Sequence, residues 1–237
     1  MKIGKFIAHA GLCARRKAVA LILSGKIKVN NKLVTQLNYE VVPSDQVMYE
    51  NKVLQQEKKV YILLNKPRGY ITTLSDERGR KTVRELIDYR GVERIYPVGR
   101  LDRDTTGLLF FTNDGDLATR LSHPAQQIQK VYQVKLATPL KEDDLIHLKS
   151  GVNLADGFIK IDDIQVLNFN KTNFSLTLHS GKNRIIRRIF AHLGYEIKHL
   201  DRVRYASLSP KKLPLKAWRF LTHQEVKALK LLTSASL

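Results

Sequence analysis

The stretch Gly99-Arg100-Leu101-Asp102-Arg103-Asp104-Thr105-Thr106-Gly107 decides how this chain is read. It joins two strand-like runs, Arg94–Val98 and Leu108–Thr112. Two carboxylates, two arginines and two hydroxyls lie between two glycines. A polar loop held between strands is where site residues concentrate. The competing reading is a plain polar turn, with Asp and Thr side chains bonding the backbone.

Outward from this loop, strands and helices mix without strict alternation. Strand patterns cover Val60–Leu64, Tyr132–Ala137, the region Ile159–Val166, Phe174–Leu178 and Tyr195–Leu200. Helical patterns cover Thr82–Ile87, Glu142–Lys149, Asn183–Leu193 and Gln224–Leu232. Asn113-Asp114-Gly115 turns into a short helix that Asp116 is expected to cap. This order predicts an α+β domain with a mixed, largely antiparallel sheet over residues 60–237. Residues 51–59 are polar and weakly patterned and read as a linker.

Residues 1–50 read as helix, helix, hairpin. Ile3, Phe6, Ile7 and Ala10 follow helical spacing up to Gly11, and Ala18, Leu21 and Ile22 do so up to Gly25. Ile27 and Val29 alternate into an Asn30-Asn31 turn. Lys2, Lys5, Arg15, Arg16, Lys17, Lys26, Lys28 and Lys32 all precede the first acid, Glu40. One-sign charge on a small helical unit is the footprint of a nucleic-acid-binding face.

The whole chain shares this bias. Its 41 Lys and Arg against 22 Asp and Glu give a net charge of +19 over 237 residues. That surplus exceeds what solubility requires and points to a polyanion. No polybasic amphipathic helix or lipid signal suggests a membrane surface instead. A single cysteine, Cys13, leaves no intramolecular disulfide and no cysteine-built zinc site, which fits a reducing cytoplasm.

A second basic cluster, Ser180-Gly181-Lys182-Asn183-Arg184-Ile185-Ile186-Arg187-Arg188, opens a helix. Ile185, Ile186 and Ile189 are expected to face the core, with Arg184, Arg187 and Arg188 sharing another face. Such arginines hold phosphates or pair with a buried carboxylate; the alternative is a solvated basic face. Tyr132, at the start of a strand, reads on its own as a core or cross-strand residue. The chain lacks a Gly-x-Gly cofactor loop, a P-loop, a His-Glu-x-x-His motif and a Gly-x-Ser-x-Gly elbow. These absences count against nucleotide-cofactor, metalloprotease and serine-hydrolase chemistry. A glycosidase pair of Asp102 and Asp104 would leave the basic charge unexplained.

Taken together, the segments resemble the Rsu/Rlu family of bacterial ribosomal RNA pseudouridine synthases. The most specific part is Pro97 through Asp102, continuing through Thr105-Thr106-Gly107-Leu108-Leu109 to Thr112-Asn113-Asp114-Gly115. Gly11, Arg15-Arg16, Gly25 and Val29-Asn30 resemble the small S4-like (alpha-L) RNA-binding domain that precedes the catalytic domain in this family. Leu64 through Gly69 and Trp218 through Thr222 also fit. The segment Leu74–Val83 is similar to the branch acting on large-subunit RNA.

The resemblance implies a catalytic Asp102, an active-site Tyr132, and Arg187 as the partner of the Asp. Arg100 would fill the hole left by a flipped base. RNA contacts are expected from Lys5, Arg15, Arg16, Lys17, Lys26, Lys28, Arg184 and Arg188. Uridine isomerisation involves no net redox change, so no cofactor and no metal is expected. The expected partner is ribosomal RNA or a ribosomal-subunit precursor, met by a cytoplasmic monomer. Ala14 stands where the module usually has a Ser cap, Ile185 where a Gln is usual, and Lys216 where a Gly is usual. Two readings of other classes stay open: a non-catalytic ribosome-assembly protein, and an RNA methyltransferase, against which the missing cofactor loop counts.

Overall fold

The computed structural model describes residues 1–233; the last four residues of the expected 60–237 domain lie outside the described residues. The chain divides into two units. The first comprises residues 1–60 with 91–95 and 112–115, and the second the remainder.

In the first unit, α1 (Ile3–His9) and α2 (Arg15–Leu23) each bury a short apolar stripe. Ile3 and Ile7, then Ala18 and Ile22, are fully buried at i, i+4 spacing. They pack on β1 (Ile27–Val29) and β3 (Val47–Tyr49), whose Ile27, Val29 and Val47 complete the core. Burying each Ile or Val contributes about 2 kcal/mol. With β2 (Lys32–Leu33) and β4 (Lys52–Val53), the strands form an antiparallel sheet in the order β2-β1-β3-β4. Ala14 caps α2 without a side-chain hydrogen bond, as its missing hydroxyl requires.

The expected linker, 51–59, has structure of its own. β4 lies within it, paired to β3. Glu57 accepts from the Arg94 amide at 2.9 Å and from the Asn113 side chain at 2.9 Å. Polar residues with no periodicity read as a linker in sequence, yet here they hold a sheet edge and a buried carboxamide.

The second unit is an eight-stranded sheet with helices. Its elements, apart from Thr112 and Gly115 at the ends of β7 and α3, are β5 (Tyr61–Lys66), β6 (Tyr96–Val98), β7 (Thr106–Thr112), α3 (Gly115–Ser122), β8 (Lys130–Leu136) and α4 (Glu142–Ser150). After these come β9 (Val152–Leu154), β10 (Gly157–Ile159), β11 (Asp163–Val166), β12 (Asn173–Leu178), α5 (Ile185–His192), β13 (Ile197–Tyr205), β14 (Trp218–Phe220) and α6 (His223–Leu232). The sheet order is β11-β12-β8-β13-β7-β5-β14, with β6 paired to β7 and β9-β10 a separate hairpin. β13 runs antiparallel to β8 and parallel to β7, so the sheet is mixed and largely antiparallel.

Two cores flank β13. One gathers β8, β12, α4 and α5 around Phe174, Leu176, Ile189 and Phe190. The other gathers β5, β7, α3 and α6 around Leu63, Phe110, Leu117 and Leu229. Every residue of β7 is buried, as a strand covered on both faces requires. Gly107 is obligatory there: its φ is +107°, and a Cβ would lie 2.4 Å from the Arg202 carbonyl oxygen.

Several expectations shift by a turn or a strand. Asp116 sits inside the first turn of α3 rather than capping it. Thr82–Ile87 is a four-residue 3₁₀ turn, Val83–Leu86, closed by a Thr82–Glu85 capping box. Lys216 has a φ of +72°, the conformation that favours the glycine expected there. Among the described residues, no helix is long and apolar enough to cross a membrane.

Candidate active site

The loop between β6 and β7 is held through its backbone by residues 66–72. Lys66, at the end of β5, is fully buried. Its ammonium donates to the carbonyls of Pro67 at 3.1 Å, Asp102 at 3.0 Å and Thr105 at 2.8 Å. Thr72 closes a reciprocal pair with Leu101, donating to its carbonyl at 2.7 Å and accepting from its amide at 3.1 Å. The Gly69 amide donates to the Arg103 carbonyl at 2.9 Å. Burial pushes Lys66 down to about 8, while Asp102 and Asp104 oppose that shift.

The strand after the loop is tied to β13. Their register sets Asp201 opposite Thr106 and Arg202 opposite Gly107. Across the next ladder, Arg202 faces Tyr132. Asp102, Arg202 and Tyr132 therefore come from three neighbouring parts of one sheet. The Thr106 hydroxyl bonds the Asp201 carboxylate, which fixes the loop exit.

Across from the loop, α5 presents Arg187. Its Nε lies 3.8 Å from an Asp102 carboxylate oxygen, and its terminal nitrogen donates to the Asp104 carbonyl at 3.2 Å. That Nε is buried without a hydrogen-bond partner. The contact is thus an ion pair across a short gap rather than a closed bond. Burial pushes the Arg187 pKa down and Asp102 pulls it back up. The Asp102 side chain stays 29% exposed, which leaves the carboxylate reachable.

These groups line one cavity of about 250 Å³. Asp102, Tyr132, Arg187, Arg100 and Arg184 all face it. Lys130 and Arg202 share it. Lys130 donates to the His179 carbonyl at 2.9 Å, and burial, reinforced by Arg202, pushes it down to about 8. Arg202 is 2% exposed and donates to the Leu108 carbonyl at 2.8 Å, with one terminal nitrogen unpartnered.

Two of the expected arginines depart from the shared helix face. Arg184 has a φ of +48° and precedes α5 instead of belonging to it. Arg188 turns to Asp156, forming a paired contact that includes a 3.0 Å bond. Only Arg187 of the three meets the Asp. In the first unit, Arg15, Arg16, Lys17 and Lys26 are exposed, and Lys5 and Lys28 are half-buried. Nothing in the sequence alone marks Lys66, Thr72, Lys130 or Arg202 as site residues. In sequence Lys66 reads only as the first residue of a turn, Lys66-Pro67-Arg68-Gly69, after the strand pattern Val60–Leu64.

A partly buried carboxylate beside a guanidinium, with a tyrosine in the same cavity, suits a reaction that needs an ionised acid next to a flat ring. Residues 60–192 match the RNA pseudouridylate synthase family, and residues 1–47 match the S4 domain family. Ribosomal large subunit pseudouridine synthase B of Bacillus subtilis is 41% identical over 98% of this chain and 96% of its own length. The dual-specificity RNA pseudouridine synthase RluF of Escherichia coli is 33% identical over 95% of this chain and 77% of its own. A crystal structure of a pseudouridylate synthase superposes with a TM-score of 0.69 and 27% identity, covering 97% of this chain and 99% of that one. With the family match spanning more than half of the sequence and relatives of this identity spanning nearly all of it, the chain belongs to the RNA pseudouridine synthase family.

Proposed function

We propose that this protein converts a uridine of large-subunit ribosomal RNA to pseudouridine, with Asp102 as the catalytic carboxylate. The observation that carries the assignment of roles is the Asp102–Arg187 pair facing Tyr132 across one cavity. The names of the relatives support the substrate class. The target base leaves the stack to enter the cavity. Asp102 then attacks C1′ or removes the C2′ proton. The N1–C1′ bond breaks, the ring turns, and a C5–C1′ bond forms, releasing the Asp102 carboxylate from C1′ on the first route or followed by return of the proton to C2′ on the second. The proton lost from C5 is balanced by one gained at N1, so the chemistry is complete without a cofactor.

Arg187 keeps a cation beside the carboxylate while water is excluded. Tyr132 offers a ring on which uracil stacks and a hydroxyl that relays a proton. Arg100, exposed at the cavity mouth, takes the place the base vacates. Residues 1–50 act as the recognition module, with Arg15, Arg16, Lys17, Lys26 and Lys28 meeting phosphate. The protein works as a cytoplasmic monomer on ribosomal RNA or a subunit precursor.

Pseudouridine mapping of ribosomal RNA from cells with and without the protein tests this reading. One large-subunit position should lose its modification, and the wild-type gene should restore it. Asp102→Asn should not restore it, although it binds RNA as tightly as wild type or slightly better. A modification pattern unchanged by loss of the protein, or full rescue by Asp102→Asn, overturns the assignment.

A further inference from the structure

We propose that a second cavity, opening beside the Asp102 cleft and bounded by Phe158, is the subsite for a nucleobase adjacent to the target uridine. The inference rests on the reading of the Asp102 cleft as a uridine site.

The cavity measures about 570 Å³ and runs on from the Asp102 cleft. Leu121, Ser122, Lys130 and residues 180–182 line both. A strand of RNA that delivers its base to Asp102 therefore has an open path along this side.

Phe158 is built as a platform rather than as core. It lies on β10, next to Ile159, which is buried, while Phe158 itself is 56% exposed. Alternation along the strand sends the two side chains to opposite faces. One edge of the Phe158 ring is seated against Gly151. A Cβ at Gly151 would lie 2.2 Å from the ring carbon Cζ, and the Gly151 φ of +102° excludes an ordinary side chain as well. The ring thus rests one edge against a residue that gives it room, while more than half of Phe158 meets solvent.

Charge around it fits nucleic acid. Lys130, Lys160, Lys182, His123 and His179 line the cavity with Phe158. Lys182 is 3.7 Å from Asp156 and donates to the Asp156 carbonyl at 2.7 Å, and His179 pairs with Asp162 at 2.9 Å. Lys160 is exposed at the end of the Phe158 strand. An aromatic face among cations is how single-stranded nucleic acid is held without reading its sequence. Flipping the target uridine also deprives its neighbour of a stacking partner, and an exposed ring in the adjoining cavity can replace it.

The test uses the full-length protein, with binding to in vitro transcribed large-subunit RNA measured beside turnover. Phe158→Ala should weaken binding about tenfold, in the range that loss of one base–aromatic stack produces. Phe158→Tyr should stay within about twofold of wild type. An abasic scan then replaces each nucleotide flanking the modified uridine in turn. At one position the abasic change should weaken wild type about tenfold and leave Phe158→Ala unaffected. Equal binding by wild type and Phe158→Ala overturns the subsite. So does a Phe158→Ala defect of the same size on every abasic RNA. If wild type modifies no uridine, the reading of the Asp102 cleft falls instead. The binding comparison of Phe158→Ala with wild type still decides the platform.

Discussion

Five consecutive carbonyls, from Leu101 to Thr105, each accept a hydrogen bond from Thr72, Lys66, Gly69 or Arg187. On the other side of the same cleft, residues 181–184 are exposed, Arg184 sits in the left-handed region, and Lys182 leans on Asp156. One wall is held atom by atom; the other is held loosely and carries cations. The difference follows from what each wall must do. A reacting carboxylate works only within a fraction of an ångström of one position. Phosphate contacts tolerate displacement, because charge acts over a longer range than a bond.

The sharpest way to break this contrast is Lys66→Met. It removes the ammonium that holds the carbonyls of Asp102 and Thr105 and leaves them without that donor in a buried site. Stability should fall by about 3 kcal/mol, and the single-turnover rate by about a hundredfold or more. Thermal unfolding and single-turnover assays at saturating RNA check it. A variant with wild-type rate would mean that the clamp does not position Asp102.

A gentler perturbation of the same clamp is pH. Lys66 is held down to about 8 in the folded protein, below its ordinary value near 10.5. Between these values the unfolded chain keeps a proton that the folded chain has released, so the contribution of Lys66 to stability rises with pH. Over the same window the clamp loses a donor, and the rate should fall several-fold. Activity and stability should therefore move in opposite directions above pH 8. Lys130 titrates near the same pH in the same cleft. If Lys130→Met abolishes the alkaline decline, the decline belongs to Lys130 and not to the clamp.

The smallest expected effect lies on the open wall. Arg184→Ala should leave the single-turnover rate at saturating RNA unchanged and weaken binding a few-fold. It should also flatten the dependence of log K on log salt by about 0.7 to 0.9. A slower chemical step in Arg184→Ala would show that this wall, too, positions the reacting groups.

Much of the frame was legible from local patterns. Ile3 and Ile7, Ala18 and Ile22, and Ile185, Ile186 and Ile189 are buried where helical spacing puts them. The loop around Asp102 announced itself by its glycines and its crowding of charge. What escaped depends on partners far away in the chain. β14 is three residues long and pairs with β5, more than a hundred residues earlier. β13 runs past Leu200, where the expected strand ends, through Asp201, Arg202 and Arg204, whose charges interrupt the apolar pattern. Arg202 is tolerated inside the sheet because the Leu108 carbonyl accepts from it. Lys66 reads as a turn residue beside Pro67, and only the returning loop reveals it as a buried cation. The left-handed Arg184 defeats helical spacing, since one residue outside the helix breaks the shared face.

The position of β13 also sets a timetable. It joins the half-sheet β11-β12-β8 to the half-sheet containing β7 and β5, and it is nearly the last strand to be synthesised. Asp201 meets Thr106 only after 95 further residues have left the ribosome. At about 5–20 residues per second, that is a delay of roughly 5–20 seconds between making the Asp102 loop and anchoring its exit. A nascent chain therefore carries its basic N-terminal unit long before its cleft exists.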